Sequence, residues 1–199
     1  MMKKPKQESL DISHNHFLFW FNSNLIIISG NYLLVNIHHH HNVSNVQNNT
    51  VPHAGTSAGD NALKHAIFTA KASKARILIL HVIEDVPRAP LTFALHSSQI
   101  DTIKKQIREA TEEMKEVMEK EMQKRVKLCS NKNIKTDLKI TIGLPAQEIV
   151  RILNNQRIDL IVMAKRRKLP GIKSILTLGS VSRKIVEKAS CPVLLVDVE

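Results

Sequence analysis

The chain has 199 residues, of which 43% are hydrophobic and 24% are charged, and its formal net charge is +11 at pH 7. This composition is typical of a globular protein and excludes an intrinsically disordered chain. The length fits one ordinary domain with an extra segment, or at most two small domains. The two cysteines, Cys129 and Cys191, match no metal-binding or redox spacing, so we expect a reducing, cytoplasmic environment.

The first 46 residues differ in composition from the rest of the chain. Three apolar runs, at 17–21, 25–28 and 32–35, are separated by breaks that contain Asn, Ser and Gly. A membrane helix spanning them would bury several amides, and no small-residue cleavage site of a signal peptide follows, so we expect no membrane segment. We interpret residues 1–46 as an atypical N-terminal extension, either disordered or translated from a mis-assigned start codon.

Four consecutive histidines, His38 to His41, raise the question of a metal site, because imidazole is the commonest metal ligand. Their surroundings supply no carboxylate or thiolate at a fixed geometry. We therefore interpret these histidines as a solvated low-complexity tract and expect no bound metal.

From residue 47 onward, strand-like and helix-like segments alternate, which predicts an α/β fold with a parallel sheet covered on both faces. The helical segments are recognised by apolar residues at a period of 3.6, as at Leu63, Ala66, Ile67 and Ala70. The second helical segment is the longest and carries this period from Ile100 to Met122. The predicted strands are 49–54, 76–82, 136–142, 158–163 and 192–196.

The apolar pattern of each strand predicts its position in the sheet. Residues 77–80 and 160–163 are continuously apolar, as buried central strands are, whereas residues 136–142 alternate and are typical of an edge strand. The last strand is apolar throughout, and an uncovered apolar edge would pair with another chain. We therefore expect a homodimer formed through the C-terminal strand, at Val193, Leu194, Leu195 and Val196.

Several motifs in this region resemble those of one known family. Val51 to Thr56, followed by Asn61 to Ala66, is similar to the opening strand and first helix of the universal stress protein (UspA-like) family. Other segments resemble later motifs of the family in the same order: Leu78–Val82, Gly143–Ile149, Asp159–Met163, Gly179–Ser182 and Cys191–Leu194. The resemblance covers 47–199, which we interpret as a universal stress protein domain. It implies the adenine nucleotide alpha hydrolase-like fold: a single doubly wound domain with a five-stranded parallel sheet in the order 3-2-1-4-5, flanked by helices on both faces.

The resemblance also implies a crevice for ATP or AMP, from which this chain departs in two places. ATP-binding members have Gly-x-x-Gly after the fourth strand, but here Lys165 to Lys168 replace those glycines, and Ala54 replaces the usual aspartate. Glycines let backbone amides approach phosphate closely, whereas the cations that replace them can hold phosphate only at longer reach. The other interpretation of the basic run is a solvated loop.

Gly179 and Ser180 retain the end of the phosphate motif, where a helix begins and its N–H groups favour anions. We therefore expect a crevice for a nucleotide or phosphate ligand that is altered and does not bind ATP tightly. The residues expected to form it are Pro52, His53, Ala54, Gly55, Val82, Met163, Ala164, Lys165, Arg166, Gly179, Ser180, Val181 and Ser182.

Three functional interpretations follow. The first is a non-catalytic universal stress protein involved in the stress response. The second is a member that hydrolyses ATP weakly, but no base or metal-binding carboxylate is expected near Ser180, because Asp159 begins its strand at the opposite end of the sheet and His53 and His81 are typical core histidines.

The third interpretation is association with nucleic acid. Residues 1–46 contribute only +1 of the net charge, so residues 47–199 carry +10. Such a domain attracts polyanions, but Phe68 and Phe93 are its only aromatic residues and cannot form a stacking platform. We therefore expect only non-specific binding of nucleic acid.

Overall fold

The computed structural model describes residues 16–21, 24–29, 32–36, 46–84, 97–165 and 178–197; the first three ranges and residues 97–100 and 197 are described by their backbone only. Arg166 and the histidine tract at 38–41 lie outside the described residues. The strands are β1 (His16–Phe21), β2 (Asn24–Ser29), β3 (Tyr32–Asn36), β4 (Asn48–Pro52), β5 (Arg76–Glu84), β6 (Thr136–Gly143), β7 (Leu160–Lys165) and β8 (Val193–Asp197). The helices are α1 (Ser57–Ser73), α2 (Ser97–Ser130), α3 (Pro145–Asn155) and α4 (Ser180–Lys188).

The five strands predicted after residue 47 form one parallel sheet in the order β6-β5-β4-β7-β8. This arrangement confirms the predicted order 3-2-1-4-5, with β5 and β7 inside the parallel part and β6 at its edge. Apolar residues of α1 and α2 pack on one face of the sheet, and those of α3 and α4 pack on the other. The predicted doubly wound arrangement is therefore confirmed.

Strands β1, β2 and β3 continue the sheet beyond β8 as an antiparallel meander. Part of the segment 1–46, for which disorder was one interpretation, therefore has a regular backbone in the structure. Strand β3 pairs with β8 in antiparallel register, from Tyr32 opposite Val196 to Val35 opposite Val193.

This pairing corrects the expected homodimer interface. An apolar edge strand needs a partner, and β3 of the same chain provides one at Val193, Leu194, Leu195 and Val196. The edge that a second copy was expected to cover is already occupied.

Deleting residues 1–45 should uncover the edge of β8 and cause self-association, because the backbone groups that β3 satisfies become available to a second copy. Size-exclusion chromatography with light scattering checks this by comparing the deletion variant with the full chain. We expect the deletion variant to shift to a dimer or larger species. The same oligomeric state for both proteins would contradict the role assigned to β3.

Candidate functional site

Strands β4 and β7 are neighbours in the sheet, yet the helices that follow them lie on opposite faces. Their parallel register pairs Asn49 with Leu160 and Thr50 with Ile161. Helix α1, which follows β4, contributes Leu63 to the core on one face, and α4, which follows β7, contributes Ile185 to the core on the other. Such a reversal leaves a crevice at the carboxyl ends of the two strands, where open α/β sheets bind ligands.

The turn after β4 is held in place by the buried ring of His53. The backbone N–H of Gly55 donates to His53 Nδ1 at 3.0 Å, so the ring proton lies on Nε2 and is donated to Asp60 Oδ1, also at 3.0 Å. The backbone of His53 is equally fixed, since its N–H donates to the Leu80 carbonyl at 2.9 Å and its carbonyl accepts from His81 Nδ1 at 2.7 Å.

Asp60 extends this network to the long helix. Arg125 Nε donates to Asp60 Oδ1 at 2.8 Å and its terminal nitrogen donates to Oδ2 at 3.2 Å, a two-point contact between α2 and α1. Partial burial alone would raise the pKa of Asp60, but the hydrogen bonds and charge of Arg125 outweigh it and the pKa lies below its ordinary value. Asp60 is therefore ionised and accepts from both His53 and Arg125.

Burial and the nearby charge of Arg125 lower the pKa of His53 below its ordinary value, against the opposing effect of Asp60. The ring is therefore neutral near pH 7, which agrees with Nδ1 accepting a hydrogen bond from Gly55. Both ring nitrogens have protein partners. The His53 side chain therefore does not face a ligand, contrary to the prediction from sequence. Instead, the ring holds the turn in place through its hydrogen bonds with Gly55 and Asp60.

Beside His53, the remaining residues of the turn are open to solvent. Ala54, Gly55 and Thr56 are all exposed, and Gly55 has a φ of +77°, a left-handed conformation that favours glycine. Thr56 closes the start of α1 by accepting from the Gly59 N–H at 3.3 Å. Ala54 offers a ligand no side-chain acceptor at the position where the family uses aspartate.

The first turn of α4 forms the other side of the crevice. Gly179 is its N-cap residue, and among the described residues no side chain caps the N–H groups of this turn. The turn also contains no acidic residue, Ser180 is exposed, and Ser182 is 7% exposed. Val181 packs against the core and orients the turn. Within the described residues, no side chain thus neutralises the positive end of the α4 dipole, which favours an anion.

The residues at the end of β7 that were predicted to line the crevice are buried or half-buried. Met163 and Lys165 are 5% and 4% exposed, and Ala164 packs against the core on the α1 face. Met163 belongs to the core cluster on the α3 and α4 face, so its side chain does not line the crevice. On the β4 side, Pro52 ends β4 and is half-buried, and the half-buried Val82 packs on the α3 and α4 face.

Asp159 lies at the amino end of the sheet, as predicted. Its Oδ2 accepts from the backbone N–H groups of Gln47 at 3.0 Å and Asn48 at 2.9 Å, and thereby joins the starts of β4 and β7. Its role is structural and its carboxylate is far along the strand from Ser180. Within the described ranges, no group of three or more His, Cys, Asp or Glu side chains is arranged to hold a metal ion.

Both cysteines are buried and reduced. Burial raises the pKa of Cys129, and burial together with the charge of Asp159 raises the pKa of Cys191 to about 12. Both thiols are therefore protonated and poor nucleophiles near neutral pH.

Residues 47–197 match the model of the universal stress protein family. The chain belongs to the universal stress protein family. It is 32% identical over 146 residues to universal stress protein MJ0531 of Methanocaldococcus jannaschii, which covers 73% of this chain and 79% of that protein.

Two solved structures have similar folds. The structure of MJ0577, also from Methanocaldococcus jannaschii, superposes with a TM-score of 0.62 at 24% identity and covers 78% of this chain and 98% of its own. A universal stress protein in complex with cAMP superposes with a TM-score of 0.53 at 18% identity and covers 77% of this chain and 98% of its own. These similarities support the fold. Separately, none of the helices among the described residues has both the length and the hydrophobicity needed to cross a membrane.

The His53 network predicts a specific dependence of stability on pH. Because the folded pKa of His53 is lowered, its contribution to the free energy of unfolding is complete above the unfolded pKa of 6.5 and is lost as pH falls from there toward the lower folded pKa. His53→Gln should flatten this slope in urea unfolding experiments. Because the pKa of His65 is also lowered, His65→Gln should remove a separate part of the slope, and the double variant should flatten it further than either single variant. An unchanged slope in His53→Gln would contradict the assignment.

A substitution at Gly59 provides a second test of the His53 network. The importance of this residue was not predicted from the sequence. A Cβ at Gly59 would lie 2.9 Å from ring atoms of His53, closer than such contacts occur. Gly59→Ala should therefore destabilise the protein by about 1–3 kcal/mol, although alanine is the better helix former. Denaturant unfolding measures this, and a stabilised Gly59→Ala protein would show that the ring does not pack there.

Proposed function

We propose that this protein is a non-catalytic, cytoplasmic member of its family that acts in the stress response by binding an adenine nucleotide, ATP or AMP, in the crevice between β4 and β7. The observation that carries the proposal is the first turn of α4 at the carboxyl end of the sheet, which contains no acidic side chain and whose N–H groups are capped by no side chain in the part of the chain that the structure describes. A universal stress protein of the same fold has been solved in complex with cAMP, which supports a nucleotide ligand.

The phosphates of the nucleotide bind at Gly179, Ser180, Val181 and Ser182. Backbone N–H groups at a helix N-terminus and an exposed serine hydroxyl are strong donors for phosphate oxygens. Lys165 is the last residue of β7 and is 4% exposed, and Arg166 follows it in the sequence, outside the described residues. In this proposal both cations add to the positive potential at this end of the crevice. This end of the ligand is well recognised because donors and positive charge act together.

The base and ribose bind less well, next to Pro52, Ala54, Gly55 and Val82. Ala54 provides no acceptor, and His53 is committed to Gly55 and Asp60. A buried polar group of the ligand that finds no partner costs about 1–3 kcal/mol. The affinity for ATP is therefore weak, and the phosphate groups provide most of it.

The positions of three titratable groups support the proposal that this protein is non-catalytic. Hydrolysis of a phosphate at Ser180 needs a base or a metal-binding carboxylate nearby. His53 has both ring nitrogens occupied, His81 donates to the His53 carbonyl, and Asp159 lies at the amino end of the sheet. His53 and Asp159 are therefore not available to activate water, and the His81 side chain is buried, with 6% exposed.

Ser180→Asp tests the phosphate site, because it adds a negative charge at the start of α4. The charge favours the helix dipole, so the folded protein should become slightly more stable, while binding of AMP and ATP measured by calorimetry should fall at least tenfold, a loss of about 1.4 kcal/mol. Ser190→Asp carries the same charge change on an exposed residue after α4 and should leave binding unchanged. Equal effects of both variants, or no heat from any nucleotide with the unmodified chain, would contradict the proposal.

Ala54→Asp tests the base side of the crevice by restoring the aspartate that the family uses. It should strengthen binding of AMP and ATP and leave binding of inorganic phosphate unchanged, because phosphate does not reach Ala54. Calorimetric titrations with all three ligands check this. A gain for phosphate, or no gain for either nucleotide, would contradict the placement of the base.

A further inference from the structure

A cleft lies at the amino end of the sheet, away from the crevice. Its volume is about 810 Å³, and it is bounded by the carboxyl ends of α1 and α2 and by the residues that lead into β4, β5 and β6. Five cations line it, and we call it the basic cleft: Lys71, Lys74, Arg76, Lys132 and Lys135.

The charge of the basic cleft is not balanced by nearby carboxylates. No Asp or Glu is among its lining residues. Arg76 is paired with Asp137, and Asp159 is bound to the N–H groups of Gln47 and Asn48. Among the described ion pairs, none involves the four lysines of the cleft. They therefore contribute about +4 to an open surface.

Lysines often occur at helix carboxyl ends because they complement the helix dipole. Each dipole is equivalent to about −0.5 charge, so α1 and α2 together neutralise about one of the four. A positive charge of about +3 remains in the cleft after the negative ends of both helix dipoles are neutralised. Stabilisation of the helices therefore does not account for the whole cluster.

Two residues that line the basic cleft have an unusual backbone conformation. Lys74 and Asn133 have φ values of +56° and +58°, and they are the only non-glycine residues with positive φ in the part of the chain that the structure describes. Each lies in the cleft at the end of a helix, where glycine is the usual residue. Lys74 adopts this conformation at a cost in stability that glycine would avoid, and its side chain adds a cation to the cleft.

We propose that the basic cleft binds a linear chain of phosphate groups, inorganic polyphosphate. Lysine ammonium groups act as mobile point charges that suit successive phosphates, and four of them around a cavity of this volume exceed what one phosphate can contact. The lining contains no aromatic side chain on which a nucleic acid base could stack. The proposal is independent of the nucleotide crevice, which lies at the other end of the sheet.

The full chain would be titrated with polyphosphate, with an oligothymidylate of equal phosphate number, and with AMP, at two salt concentrations. The triple variant Lys71→Gln, Lys132→Gln, Lys135→Gln should lose at least about tenfold in affinity for polyphosphate, and its salt dependence should fall by a slope of about 2. The control is Lys104→Gln, Lys105→Gln, Lys120→Gln, which removes the same charge from exposed positions on α2 and should change the affinity less than about twofold.

Lys74→Gly separates a binding role from a structural one. It should raise Tm by a few degrees, because glycine relieves the left-handed backbone, and at the same time weaken polyphosphate binding about twofold or more. Ser180→Asp should leave polyphosphate binding unchanged, and the triple variant should leave AMP binding unchanged, so that the two proposals can fail separately.

Three results would overturn the inference. Equal losses in the triple variant and its control would assign binding to overall charge. Tighter binding of the oligothymidylate than of polyphosphate would assign the cleft to nucleic acid. Unchanged affinity in Lys74→Gly would show that Lys74 does not contact the ligand.

Discussion

The ring of His53 connects the elements on which the crevice depends. Its hydrogen bonds reach the turn at Gly55 and the start of α1 at Asp60, and Arg125 extends the contact to α2. The backbone of His53 is bonded to β5 at Leu80 and accepts from His81. A single buried residue thus fixes the carboxyl end of β4 relative to two helices and the neighbouring strand. If the ring is protonated, Nδ1 can no longer accept from Gly55 and the turn loses its support.

This rigidity has a consequence for the ligand. The β4 side of the crevice is held in place by protein contacts, whereas the first turn of α4 on the β7 side keeps donors that no described side chain satisfies. The two ends of the sheet also differ in electrostatics. At the carboxyl end, no side chain among the described residues caps the N-terminus of α4. At the amino end, four lysines outweigh two helix C-termini. The carboxyl end of the sheet is suited to an anion by its backbone donors, and the amino end is suited to one by its side-chain charge.

Much of the fold could be predicted from the sequence because the strand patterns are direct consequences of burial. Residues 77–80 and 160–163 are apolar throughout since both faces of β5 and β7 are covered, and residues 136–142 alternate since β6 is an edge. The cover over β8 was not predicted. Its partner, β3, lies about 160 residues earlier in the chain, and strand pairing over such a distance leaves no local signal.

The candidate site was predicted less completely because its contacts, too, join residues that are far apart in the chain. Gly179 and Ser180 were found because a helix start is a local pattern. The link between Asp60 and Arg125 joins residues 65 positions apart, and the need for glycine at residue 59 arises only when the His53 ring is folded against α1. Sequence reasoning identified His53 as a crevice residue but could not show that both its nitrogens bond to protein.

The most direct measurement of the central claim is a two-dimensional ¹⁵N–¹H NMR titration of the full chain with AMP. Binding at the helix start predicts saturable shifts of the amides of Gly179 to Ser182, with smaller shifts in the turn at Ala54 and Gly55, because the phosphate accepts directly from the α4 amides. Shifts confined to the basic cleft at Lys71, Lys74, Lys132 and Lys135, with no change at α4, would contradict the account.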